Sequence, residues 1–384
     1  MDKPKIRFQG FEEAWCKKTL GDFGSVAMNK RIFKNQTSDK GDIPFYKIGT
    51  FGKTPDSFIS KKIFAEYKSK YPYPKIGDIL ISASGSVGKI VEYKGEDAYF
   101  QDSNIVWLDH KGRINNKFLK SFYSIVKWAG LEGSTIKRLY NSNILQTSIK
   151  LPSLPEQEKI GKLFERIDHL LNLQQRKCDK LNDIKKSMLT KMFPKPGKRV
   201  PEVRFEGFTD DWVECKISDL FKITRGNVLA ETKTNSKASK INPYPVYSSQ
   251  TKKNGLLGYY SNYLYEDAIT WTTDGANAGT VKFRPGKFYC TNVCGVLLTK
   301  TVEANPMIAE ALNMVAKRHV SYVGNPKLMN NVMADISLKI PLSQKERTIN
   351  SNFFHKLDTL IHLSELKLSK LRLLKRSFLE GMFV

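Results

Sequence analysis

The chain states its plan twice. Residues 4–15 read PKIRFQGFEEAW and residues 201–212 read PEVRFEGFTDDW, which sets Trp15 and Trp212 197 positions apart (212 − 15). Further on, LPSLPEQEKIGKLFERIDHLL from Leu151 is answered by IPLSQKERTINSNFFHKLDTLI from Ile340. KLNDIKKSMLTKMF from Lys180 is answered by KLRLLKRSFLEGMF from Lys370, an offset of 190 (370 − 180). A repeat this long is a duplicated domain plus a duplicated helix, since solenoid units recur every ~20–50 residues. The 384 residues accommodate two domains or three, each with its own core.

Between the echoes lie two segments, roughly 24–148 and 222–338, that scarcely resemble each other yet share a ground plan. The first has strand-like runs at IGDILISAS, KIVEY and SNIVWL, the second at EDAITWT, GTVKF and VCGVLL. Each then has one helical pattern. In the first, Phe118, Leu119, Phe122, Ile125 and Val126 share a face after Asn116. In the second, Asn305 is a candidate N-cap, Pro306 suits the first helical position, and Met307, Ile308, Ala311, Leu312 and Val315 form the face. One scaffold carrying two different surfaces suits a protein that reads two different things.

A long helix closes each half. The first runs from about Glu156 to Phe193, with Ile160, Leu163, Ile167, Leu170, Leu171, Cys178, Leu181, Ile184, Met188 and Met192 along one side. The second runs from about Lys345 onward, with Phe353, Leu357, Leu360, Ile361, Leu371, Leu374, Phe378 and Met382 along its side. Spacings of three and four residues predict a coiled coil with irregularities. At 1.5 Å per residue each helix spans roughly 55 Å. The string PKPGKRVP, residues 194–201, ends the first helix and opens the second copy.

Charge narrows the partners. There are 63 Lys and Arg against 38 Asp and Glu, a net charge of +25. Such an excess favours a polyanion through counterion release and steering. Two copies of one module also make a pseudo-twofold axis available, which matches duplex DNA. No apolar run reaches the ~18 residues of a membrane span, and MDKPKIRF lacks the apolar stretch of a signal peptide. Cys16, Cys178, Cys215, Cys290 and Cys294 form no CxxC, and the five histidines have no ligand spacing. Neither a zinc site nor a disulfide framework is expected, and a reducing cytoplasm fits.

The order of these parts resembles the specificity subunit of type I restriction–modification enzymes. The resemblance is carried by the RFxGF…W opening of each half, by Pro155-Glu156-Gln157-Glu158-Lys159-Ile160 at the start of a long helix, and by GDILISASGSVGKI and ITWTTDGANAGTV. It covers essentially the whole chain, although the second copy reads SQKERTI where PEQEKI stood. It implies an α+β fold with an internal pseudo-twofold repeat. Two α/β target-recognition domains, residues 1–150 and 196–340, would be joined by two long antiparallel, coiled-coil-like helices, residues 151–195 and 341–384. It also implies a non-catalytic subunit in which each domain reads one half of an asymmetric, bipartite site in double-stranded DNA. The helices would set the spacer and carry two methyltransferase subunits and the restriction/translocase subunits. Adenine-N6 methylation with S-adenosylmethionine, and translocation with ATP and Mg²⁺, would belong to those partners. No cofactor is expected in this chain.

Several loops are candidate reading surfaces. Residues 248–255, SSQTKKNG, gather Ser249, Gln250, Lys252, Lys253 and Asn254, whose amides suit adenine edges and whose lysines suit guanine or phosphate. Residues 272–279, TTDGANAG, hold Thr273 and Asn277 in a glycine-rich turn, either a close approach to a groove or a plain hairpin. Residues 82–89, SASGSVGK, with Ser82, Ser84, Ser86 and Lys89, occupy the matching place in the first copy. Polar stretches before the long helices add Lys137, Arg138 and Asn141, and Lys327, Asn330 and Asn331. On the helices, Leu163, Phe164, Leu173, Leu363, Leu373 and Leu374 exceed what a two-helix pair buries and are expected to meet partner subunits.

Other chemistry fits less well. A phosphate-binding P-loop needs four residues between its glycines and Ser or Thr after the lysine; Gly85 and Gly88 are too close, and Ile90 follows Lys89. Pro55-Asp56 with Glu66-Tyr67-Lys68 has the letters of a PD-ExK nuclease, so a self-contained Mg²⁺ nuclease using Asp56, Glu66 and Lys68 is the competing enzyme reading. Asn242-Pro243-Tyr244 faintly resembles a methyltransferase NPPY loop, but no glycine-rich strand–turn precedes it. A coiled-coil scaffold that binds only proteins is the remaining alternative.

Overall fold

A computed structural model describes residues 3–130, 138–249 and 252–383. Contacts divide the chain into two compact units, Met1–Gln175 with Lys367–Val384, and Arg176–Leu366. Each unit thus contains one end of both long helices.

The first unit runs β1 (Cys16–Thr19), β2 (Ser25–Ala27), β3 (Ile43–Tyr46), β4 (Phe58–Ile59), α1 (Lys61–Lys70), β5 (Ile79–Ser82), β6 (Ile90–Glu92), β7 (Tyr99–Phe100), β8 (Ile105–Asp109), α2 (Asn116–Tyr123), α3 (Asn141–Gln146), β9 (Ser148–Leu151) and the start of α4 (Leu154–Lys191). Strands β2-β8-β5-β6 form an antiparallel sheet, and β4-β3-β7 a smaller one in which β3 and β7 are parallel. Alternation along β5 and β8 serves two cores. Ile79, Ile81, Val106 and Leu108 meet Phe118 and Leu119 of α2, while Leu80, Ile105 and Trp107 meet Phe51, Tyr93 and Phe100. The cap of α2 is Asn115, whose side chain accepts from Lys117 N and Phe118 N. The helix stops at Tyr123, so Ile125 and Val126 lie beyond it.

The second unit adds β10 (Val213–Lys216), α5 (Ile217–Leu220), β11 (Phe221–Arg225), β12 (Tyr244–Tyr247), β13 (Leu256–Tyr260), β14 (Tyr265–Thr272), β15 (Val281–Cys290), β16 (Cys294–Thr299), α6 (Pro306–Ala316), α7 (Asn330–Asp335), β17 (Ser337–Ile340) and α8 (Gln344–Met382) to the end of α4. Its sheet order is β11-β16-β14-β15-β12-β13. This is the first unit's strand topology with one change: β15 does in one strand what β6 and β7 do in two. It pairs antiparallel with β14 and parallel with β12, as β6 pairs with β5 and β7 with β3. The helix α1 has no counterpart between β13 and β14. Asn305 caps α6 by accepting from Ile308 N, with Pro306 following, as the sequence predicts.

The repeated residues build a common frame. Strand β1 pairs with β9, and β10 with β17, so each domain's entry and exit are zipped together. Arg7 makes a two-pronged ion pair with buried Glu156, both bonds 2.8 Å; Arg204 does the same with buried Glu346, both bonds 2.8 Å. Trp15 meets Phe383 edge-on with centroids 6.2 Å apart, and Trp212 meets Phe193 edge-on at 6.0 Å. The end of α8 therefore sits in the first unit's core as the end of α4 sits in the second's.

Within each unit the helices run antiparallel. In the first, Lys375 donates to Asp168 (2.6 Å) and Arg372 to Gln175 (2.9 Å). In the second, Lys185 bridges Asp358 (2.6 Å) and Glu310 of α6 (2.5 Å), and Cys178 meets Ser364 (3.2 Å). Burial would lower the Lys185 ammonium; the two carboxylates outweigh it and hold it above its ordinary value.

Candidate nucleic-acid interface

Both glycine-rich stretches are hairpin turns. Ser82 N donates to Lys89 O (2.8 Å) and Gly88 N to Ser82 O (2.9 Å), closing β5–β6. Thr272 N donates to Thr280 O (3.0 Å) and Gly279 N to Thr272 O (2.9 Å), closing β14–β15. The polar stretch before each long helix leans on its turn: Leu139 N donates to Ala83 O (2.8 Å), and Leu328 N to Thr273 O (2.8 Å). The fold thus brings residues 82–89 beside Arg138, and residues 272–279 beside Lys327, which reaches Asp274 at 3.9 Å.

The predicted contact residues separate by exposure. Ser86, Arg138, Asn141, Asn254, Lys327 and Asn331 are exposed; Ser84, Lys89, Ser249, Asn277 and Asn330 are half-buried. Ser82 and Thr273 are buried and need correction. The Ser82 hydroxyl donates to Ser86 O and accepts from Lys89 N, and the Thr273 hydroxyl donates to Asp274 (2.6 Å), so both shape their turns from inside. The Lys89 ammonium is likewise turned inward, bonded to the Phe51 carbonyl and over its ring. Ser84 donates to Asn104 (2.7 Å). Lys137 and Gln250 lie outside the described residues, as do the side chains of Lys252 and Lys253.

Sequence reasoning missed two cations on one face of β15. Arg284 is buried, donating to the Thr270 hydroxyl (3.1 Å) and Asn254 O (2.9 Å), with its guanidinium 3.7 Å over the Tyr247 ring. The Lys282 ammonium donates to the Asn254 side chain. Asn254 itself holds φ +58°, a conformation asparagine tolerates better than most residues. Burial pulls both Lys282 and Arg284 below their ordinary values, and for Lys282 the nearby Arg284 adds to the effect. The alternation in KFR, residues 282–284, was the available signal.

On the helices, Leu173, Leu363, Leu373 and Leu374 are about half exposed. Leu170 and Leu360, at the repeat offset, match at 50% and 49% exposure, and Leu173 and Leu363 at 48% and 54%. The single-stripe reading is corrected there: Leu170, Ile184, Leu360 and Leu374 face outward. Leu163 is half-buried against the first unit's core. Phe164 is not a partner surface; it is buried, with its ring 6.0 Å from that of Phe383.

The nuclease constellation does not assemble. Asp56 pairs with Lys47 (2.9 Å), Glu66 with Lys70 (3.0 Å) and Lys68 with Asp97 (3.2 Å). Among the described residues no group of three His, Cys, Asp or Glu could hold a metal ion. No described helix is long and apolar enough to cross a membrane.

The model of the type I restriction modification DNA specificity domain matches residues 12–183 and 209–373. The chain belongs to this family. A Haemophilus influenzae protein, provisionally named a type I restriction enzyme specificity subunit, is 56% identical over 154 residues, 40% of each chain. A Mycoplasma pneumoniae protein, provisionally named the N-terminus of a type I specificity subunit, is 40% identical over 146 residues, 36% of this chain and 75% of its own. The chain thus spans less than half the length of the first of these relatives. In fold, it resembles the S subunit of a type I restriction-modification system from M. genitalium, with a TM-score of 0.73 over 100% of this chain and 99% of that one at 16% identity.

Proposed function

We propose that the chain is the non-catalytic DNA-specificity subunit of a type I restriction–modification system, working in the cytoplasm. Its target-recognition domains, residues 1–150 and 196–340, each read one half of an asymmetric, bipartite duplex site. The helices, residues 151–195 and 341–384, set the spacer. They offer Leu173, Leu363, Leu373 and Leu374 to two methyltransferase subunits that hold S-adenosylmethionine. Restriction/translocase subunits using ATP and Mg²⁺ complete the complex. The observation that carries this reading is one frame built twice beneath two unlike sets of loops. Half-sites on DNA ask for matched placement and permit unmatched sequence. Contacts to phosphate and base edges fall to Ser86, Arg138, Asn141, Asn254, Asn277, Lys327, Asn330 and Asn331, with Lys282 and Arg284 supporting Asn254.

The test is a genome-wide map of methylated adenines in the host, with the gene present and deleted. The expected result is one bipartite, asymmetric motif that disappears on deletion. Persistence of every methylated motif would overturn the proposal.

A further inference from the structure

The loop between residues 321 and 327 is held more firmly than a plain connection requires. Ser321 N donates to Lys327 O (2.8 Å) and Lys327 N to Ser321 O (2.9 Å), which closes it at the base. Gly275 N donates to Pro326 O (2.9 Å), fastening its side to the β14–β15 turn. Below, Leu328 is fully buried and its carbonyl accepts from Trp271 Nε1 (3.1 Å). Gly324, at φ +75°, turns the chain at the tip in a conformation a side chain would strain.

This braced tip displays Tyr322 and Val323, which are 70% and 92% exposed. No described ring contact or hydrogen bond holds the Tyr322 side chain. Exposed cations frame them: Lys317 and Arg318 on one side of buried Val320, and Lys327 on the other. A lone exposed apolar residue is ordinary. An aromatic–aliphatic pair on a stapled loop, ringed by cations and tied to a candidate reading turn, asks for a ligand that is both anionic and able to receive apolar side chains.

Resting on the specificity-subunit reading, we propose that Tyr322 and Val323 form a wedge that enters the base stack of duplex DNA at the half-site of the second domain. Lys317, Arg318 and Lys327 take the flanking phosphates. Apolar side chains inserted at a base step partly unstack it, and the cost is offset by the added protein contacts the deformation allows. A wedge must keep its shape while the bases part. The four backbone hydrogen bonds around the loop supply that rigidity before binding, so little ordering cost remains.

The experiment uses the full chain with its methyltransferase subunits, and a duplex carrying the motif mapped from methylated adenines. 2-Aminopurine replaces one base at a time around the second half-site. Binding should raise fluorescence at one step. Tyr322→Ala with Val323→Ala should abolish the rise and weaken binding roughly tenfold or more, the scale of losing a stacked base. Tyr322→Phe should keep both, and all variants should keep the wild-type melting temperature. A wild-type complex that binds its motif with no fluorescence change at any position would overturn the wedge. So would a double variant of unchanged affinity, or one that loses its methyltransferase subunits and not its DNA. A wild-type complex that binds no duplex would instead sink the specificity-subunit reading.

Discussion

The two units differ least where each domain's entry and exit meet the long helices. Arg7–Glu156 and Arg204–Glu346 share the same two-pronged geometry at the same distances, and Trp15 and Trp212 each meet a phenylalanine from the end of the other repeat's helix. Above that frame the units diverge: β15 is one strand where β6 and β7 are two, and α1 of the first unit has no counterpart among the described residues of the second. A buried carboxylate without its cation is costly, so substitutions in the frame are heavily penalised, while a hairpin turn can change its side chains freely. The frame keeps the placement of the loops, and the loops are left to differ.

One asymmetry inside the frame sharpens this. Trp212 Nε1 donates to Glu346 (3.2 Å), whereas the buried Trp15 indole N–H has no hydrogen-bond partner among the described residues. Arg7→Ala therefore strands Glu156 more completely than Arg204→Ala strands Glu346. We expect Arg7→Ala to cost about 3–5 kcal/mol and Arg204→Ala about 1 kcal/mol less. Denaturant unfolding of the two variants measures the gap, and equal losses would break the comparison.

The helices offer a second contrast. Phe164→Ala should cost about 3–5 kcal/mol, because that ring fills the first unit's core. Leu173→Asp should change stability within about 0.5 kcal/mol, as exposed positions do, yet strip methyltransferase subunits in co-purification. Full retention of those subunits by Leu173→Asp would remove this leucine from the proposed docking face. Smaller effects follow at the helix clamps. Lys185→Met loses two carboxylate partners and Lys375→Met one, so the first should cost about 1–3 kcal/mol and the second no more than about 1. Thermal melts of both would test the order. Lys327→Ala should leave stability nearly unchanged and reduce the slope of log affinity against log salt by about 1, if Lys327 meets a phosphate. An unchanged slope would take Lys327 off the interface.

Much of this was legible because the frame is written twice. The repeated strings contain both arginines and both glutamates of the clamps, but partners 149 and 142 positions away cannot be named from spacing alone. Even SQKERTI proves closer to PEQEKI than its letters suggest. At the offset of 190, Glu346 stands for Glu156, and Arg347 reaches Leu342 O (2.7 Å) where Gln157 reaches Pro152 O (2.8 Å). Helical spacing gave the length of α4 and α8 but not which leucines face outward, which is how Phe164 and Leu173 came to share one expectation. The helical pattern after Asn116 did not reveal that Asn115 is the cap of α2. The inward turn of Ser82, Thr273 and Lys89 depends on hydrogen bonds within folded hairpins that composition does not encode.

The central claim is that two separate readers stand on one repeated frame. It is tested most directly by replacing residues 24–148 with the equivalent segment of a relative and mapping methylated adenines in cells that carry the chimaera. The account predicts a motif in which one half is new while the other half and the spacer are retained. A motif changed in both halves at once would contradict it.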